Sequence, residues 1–136
     1  MEINKLTGTV IEICIKIHSK TGPGCFEKVY EEMLYYELLK RNIPVVRQVL
    51  MPIHYESLFI PDAYKLDLLI DNQLVTEIKS VEKLNPVHFK QVMTYLKLMN
   101  LKNGMLINFK VNLMKEGIHR VFNNLGNLKL KATEEG

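Results

Sequence analysis

The sequence predicts an α+β or α/β chain, with helices packed on a central mixed sheet, and three observations carry that expectation. Two N-terminal stretches place apolar residues at helical spacing. A middle stretch alternates like a pair of strands, and a proline-led helical stretch separates it from two short apolar runs. Composition agrees: 136 residues, 47% hydrophobic and 24% charged, suit one compact domain with a real core. We expect that domain over residues 1–124 and a polar tail over 125–136, ending Thr133-Glu134-Glu135-Gly136.

The elements follow in order. Val10, Ile11, Cys14, Ile15 and Ile17 give a largely buried first helix over residues 6–20. Thr21-Gly22-Pro23-Gly24 ends it, because Gly frees the backbone and Pro cannot continue a helix. A second helix is expected over 26–41, with Glu27, Tyr30, Leu34 and Leu38 on one stripe facing the sheet. Val45, Val46, Val49 and Ile53 support a strand over 45–55, blurred at its end by Pro52, and Glu56 and Asp62 read as turn carboxylates. Asn85-Pro86 supplies an N-cap and a first-turn proline for a helix running to Met99. Residues 105–109 and 118–122 read as short strands, with Lys115-Glu116-Gly117 turning between them.

The stretch from Tyr64 to Ser80 is the most informative. Asp67 interrupts the apolar run Leu66 to Ile70, and Glu77-Ile78-Lys79 follows the turn-forming Asp71-Asn72-Gln73. Charges in segments that read as buried strand need partners or a task. A three-residue connection pairing Ile70 with Leu74 places Asp67 opposite Glu77. In that register Lys65, Asp67 and Leu69 share one face with Val75, Glu77 and Lys79, while Leu66, Leu68, Ile70, Leu74 and Ile78 form an apolar face broken only by Thr76. Two facing carboxylates repel unless a cation lies between them. Lys79 supplies one charge, and a hard divalent ion such as Mg²⁺ or Mn²⁺ would supply more. Such an arrangement suits phosphodiester hydrolysis.

These residues resemble a known family. Asp67 followed by Glu77-x-Lys79 is similar to the core of the PD-(D/E)XK nuclease superfamily, and Gly24-x-x-Glu27-x-x-Tyr30 resembles the signature of its small GxxExxY branch. The ordered set continues through Pro86-Val87-His88, Gln91 and Thr94-Tyr95-Leu96-Lys97, so only the last dozen residues fall outside; Leu66 stands where the superfamily name expects proline. The resemblance implies a restriction-endonuclease-like core and Mg²⁺-dependent (or Mn²⁺-dependent) cleavage of nucleic acid, with DNA the expected partner and a homodimer a natural way to cut both strands. It implies Asp67, Glu77 and the Ile78 carbonyl as metal ligands, Lys79 as the residue that orients the attacking water, and Glu27 as a third acid on the metal directly or through water. It further places Gln91 and Tyr95 beside the active site. Lys65, on the strand face of Asp67, is expected either to meet a phosphate or to be a solvated charge at the strand start, and Tyr30 is expected at the substrate or behind the catalytic residues.

Several residues have blander readings. By position alone Glu27 is a helix N-terminal carboxylate and Tyr95 a core aromatic with its hydroxyl at the rim. His18 is expected to be a hydrogen-bonded structural histidine, and His88 a surface residue outside the catalytic set. Tyr64, Glu82 and Lys83 are expected at the rim of the site. Cys14 and Cys25 are too few for a disulfide framework and lack zinc-site spacing with His. A formal charge of +3 permits a polyanionic partner without requiring one. No apolar run is long enough to span a bilayer and no secretory pattern opens the chain, so a cytoplasmic protein is expected. The competing functions are a binding or regulatory module that keeps the architecture without turnover, and a purely structural partner protein; the joint presence of Asp67, Glu77 and Lys79 argues against both.

Overall fold

The computed structural model describes residues 1–124, so the expected tail lies outside the described residues. Helices α1 (Ile3–Thr21) and α2 (Glu27–Lys40) lead into strands β1 (Val45–Tyr55), β2 (Leu58–Ile70) and β3 (Leu74–Lys79). Helix α3 (Pro86–Met99), strand β4 (Asn103–Asn108), a 3-10 turn (Met114–Gly117) and strand β5 (Ile118–Phe122) complete the order. Helix α1 starts where the Glu2 carboxylate accepts the Asn4 and Lys5 N–H groups at 2.9 and 3.0 Å, using donors a helix start leaves unpaired. It stops at Gly22, whose φ of 71° is strained for any L side chain. Helix α3 starts on Asn85, whose N–H donates to His88 Nδ1 at 3.0 Å.

The five strands form one mixed sheet in the order β1-β2-β3-β4-β5. Among the described strands only β3 and β4 run parallel, and α3 is the crossover that parallel strands require. One core lies under α1 and α2, built from Leu6, Val10, Ile13, Tyr30, Leu34 and Leu38 against Leu68, Ile70, Leu74, Ile78, Ile107 and Phe109. A second lies under α3, where Val92, Tyr95 and Leu96 meet Met51, Ile53, Leu66, Val75 and Leu106. The sheet is thus covered on both faces, which explains why its central strands read as apolar runs. No helix among the described residues is long and apolar enough to cross a membrane.

Two expectations need correcting. Asp62 is not in a turn: β2 begins at Leu58, the β1–β2 reversal is Glu56-Ser57, and Asp62 lies inside the strand. Pro52 and Pro61 disguised this long hairpin, and both fall where the register shifts between Met51 and Ile53, an irregularity that absorbs residues unable to donate to the ladder. Leu66 does not extend the apolar face of Leu68 and Ile70 but packs in the core under α3. The alternation therefore breaks at Asp67, opposite the point where Gln48 adopts a φ of 51°.

Candidate active site

The β2–β3 register is the one the sequence suggests: Ile70 pairs with Leu74, Leu69 with Val75 and Leu68 with Thr76. One step further, Asp67 and Glu77 replace the ladder with side-chain bonds. The Asp67 N–H donates to Glu77 Oε1 at 2.8 Å, and the Ile78 N–H donates to Asp67 Oδ2 at 2.9 Å. Glu77 is buried, and burial together with the neighbouring Asp67 charge pushes its carboxyl up to about 8. Burial also raises Asp67, opposed by the Ile78 N–H, with the charge of Glu31 raising it further. The Lys79 ammonium, two residues along β3 from Glu77, acts on both acids in the opposite direction.

Glu31 is a candidate functional residue that the sequence alone does not mark. It lies four residues after Glu27 on α2, so the two share a helix face. Glu31 is buried and held by three donors: Arg47 Nε at 3.1 Å, Arg47 Nη2 at 2.9 Å and Gln48 Nε2 at 2.7 Å. The Gln48 amide also lowers the Asp67 carboxyl, so it stands between Glu31 and the acidic pair. Its left-handed backbone within a strand is the kind of strain that persists where neighbours fix it. The available signal was the polar pair Arg47-Gln48 interrupting the apolar run of β1.

Glu27 stands elsewhere. It is exposed, and its Oε2 accepts the Ser80 N–H at 3.2 Å. Among the described residues no three His, Cys, Asp or Glu side chains stand together as an ion-binding group. The acids that meet are therefore Asp67 and Glu77, with Glu31 acting on them electrostatically. Tyr30 is fully buried, stacked on Phe109 with ring centroids 4.2 Å apart. Its hydroxyl donates to the Gly22 carbonyl and accepts the Cys25 N–H, bracing the turn before α2.

Gln91 and Tyr95 meet behind β2. Gln91 Nε2 donates to the Tyr95 hydroxyl at 2.7 Å, and that hydroxyl reaches the Lys65 carbonyl at 3.4 Å, two residues before Asp67. Burial and then the Glu77 charge raise the Tyr95 phenol, keeping it a neutral donor. The Lys65 side chain is exposed. His18 Nε2–H donates to the Val111 carbonyl at 2.8 Å, a structural bond. Asn108, also unforeseen, binds the Val81 N–H at 3.0 Å and the Val81 carbonyl at 2.9 Å, fixing the chain just beyond Lys79.

The family model of the PD-(D/E)XK nuclease superfamily matches residues 4–121. The chain belongs to that superfamily. No curated protein and no solved structure matches it. Its mixed five-stranded sheet with flanking helices agrees with the PD-(D/E)XK nuclease fold, whose members generally use divalent ions and act on nucleic acid.

Proposed function

We propose that this PD-(D/E)XK chain is a Mg²⁺- or Mn²⁺-dependent nuclease of the GxxExxY branch that hydrolyses phosphodiester bonds in DNA. One observation supports the reading above others: Asp67 and Glu77 are interlocked across adjacent strands with Lys79 beside them. The donor set fits a hard cation, because burial and the adjacent Asp67 charge push the Glu77 carboxyl up to about 8 even with Lys79 nearby, and carboxylate and carbonyl oxygens are what such an ion binds. Asp67, Glu77 and the Ile78 carbonyl would hold the ion. When bound, it supplies positive charge at the phosphoryl oxygen and a lower pKa for the attacking water.

The protein's residues do the rest. Lys79 orients the water and offsets charge developing on phosphorus. Gln91 and Tyr95 hold the β2 backbone at Lys65, and the Lys65 ammonium meets a substrate phosphate. Glu31, through Gln48, takes the place of the third acid, while Glu27 pins the backbone after Lys79. Two copies acting together would cut both strands.

The test is cleavage of single-stranded, double-stranded and branched DNA, and of RNA, across a Mg²⁺ and Mn²⁺ titration. Wild type should cut, and Lys79→Ala should lose at least about a hundredfold in rate. Cutting by Lys79→Ala at the wild-type rate removes this mechanism. Binding without hydrolysis of any substrate leaves the silent binding module instead.

A further inference from the structure

The turn between α1 and α2 carries the most exposed large apolar side chain among the described residues, Phe26, which is 82% exposed. Leaving such a ring in water has no folding benefit, and the turn that presents it is fixed. The Tyr30 hydroxyl ties Gly22 to Cys25, the Ser80 hydroxyl donates to the Cys25 carbonyl at 3.0 Å, and Glu27 holds the Ser80 N–H. Phe26 is thus a preset ring bolted to the residue that follows Lys79. It lines a solvent-open cavity of about 440 Å³ with Gly24, Cys25, Glu27, Lys28, Ser80 and Lys110, the Glu27 carboxylate being taken up by the Ser80 N–H. Lys110 is engaged by Glu82 at 3.0 Å, whereas Lys28 makes no ion pair among the described residues, leaving it available for a phosphate.

Resting on the nuclease reading, we propose that Phe26 is a base-stacking subsite, taking an unpaired nucleobase of the substrate strand beside the Asp67–Glu77–Lys79 centre. An aromatic face accepts any base, and a neighbouring ammonium takes the backbone phosphate, the pairing by which single strands are held. A second copy of the chain is the competing occupant, since Val29 and Tyr36 are also exposed on α2. Nucleic acid is favoured because Lys40 already lies 5.2 Å from the Tyr36 ring centroid, while of these three side chains only Phe26 opens onto the cavity that Ser80, the residue after Lys79, also lines.

The test uses the full chain in EDTA with a single-stranded oligonucleotide carrying 2-aminopurine, whose fluorescence is quenched by stacking. Wild type should bind and quench. Phe26→Ala should lose the quench and bind about tenfold more weakly, and Phe26→Trp should keep both. Equal quenching and affinity in Phe26→Ala overturns the subsite, and if wild type still cuts DNA with Mg²⁺ the nuclease reading survives. A dimer in sedimentation that Phe26→Ala dissolves, with quenching intact, gives the ring to a second copy and also overturns the proposal. Neither binding nor cleavage of any nucleic acid by wild type fails the nuclease reading itself.

Discussion

Asp67 and Glu77 are locked together through backbone despite their like charge: Glu77 accepts the Asp67 N–H at 2.8 Å, and Asp67 accepts the N–H of Ile78 at 2.9 Å. Each carboxylate therefore completes the partner strand's hydrogen bonding where the ladder ends at Leu68 and Thr76. The pair is placed rigidly, yet it brings two like charges into a buried space. Rigid placement and electrostatic cost together make the site testable without knowing its substrate.

The first test is pH. Glu77 ionises near 4.5 when unfolded and is pushed up to about 8 when folded, so between those values the folded state binds more protons. Stability is then full below about pH 4.5 and falls as pH rises through about 8; Asp67 shifts in the same direction, and the two titrate as a coupled pair. In EDTA, the Tm of wild type should drop from mildly acidic to mildly alkaline pH by several degrees more than that of Glu77→Gln. Parallel Tm curves for the two proteins would remove the claim that the pair is strained.

A divalent ion should reverse that loss. Mg²⁺ or Mn²⁺ at about 100 times its Kd adds roughly 2.7 kcal/mol to the stability of a protein that binds it only when folded. The gain should be larger above pH 8, where protons no longer compete, and absent in Asp67→Ala. Calorimetric unfolding with and without ion decides it; an equal gain in Asp67→Ala would place the ion elsewhere.

The hairpin register was legible because turn residues and two-faced alternation left one arrangement that kept the apolar residues together, and β2–β3 pairs that way. Asn85-Pro86 and Gly22 marked helix ends through local backbone chemistry, which sequence reports directly. Glu31 and Gln48 were not legible. Their relation to Asp67 depends on a kinked β1 crossing under α2, a long-range contact between residues that look like an ordinary helix acid and strand amide. The position of Leu66 is illegible for the same reason, since the kink breaks the period of two that would put it on the face of Leu68.

Glu31 and Glu27 can be separated directly. Glu31 is buried among Arg47 and Gln48, whereas Glu27 is exposed and accepts the Ser80 N–H. Glu31→Gln should cost about 1–3 kcal/mol of stability through lost charged hydrogen bonds. It should also reduce cleavage by more than tenfold at temperatures where the variant stays folded. Glu27→Gln should reduce cleavage only a few-fold with little change in Tm. Rates showing the reverse order would restore Glu27 as the third acid.

The last test lies on the other side of the same strand. Thr76 is fully buried between Val75 and Glu77, and its Oγ1 has no hydrogen-bond partner among the described residues. Its position on β3 alternates with Glu77, so its hydroxyl faces the core of Leu74 and Ile78 rather than the acidic pair. A buried unpaired hydroxyl costs about 1–3 kcal/mol, and a methyl group in its place removes that cost at the expense of slight crowding. Thr76→Val should therefore gain about 1 kcal/mol and leave cleavage unchanged, whereas Thr76→Ala should gain less because it opens a void. Denaturant unfolding measures both, and a Thr76→Val protein less stable than wild type would mean that the hydroxyl has a partner in solution.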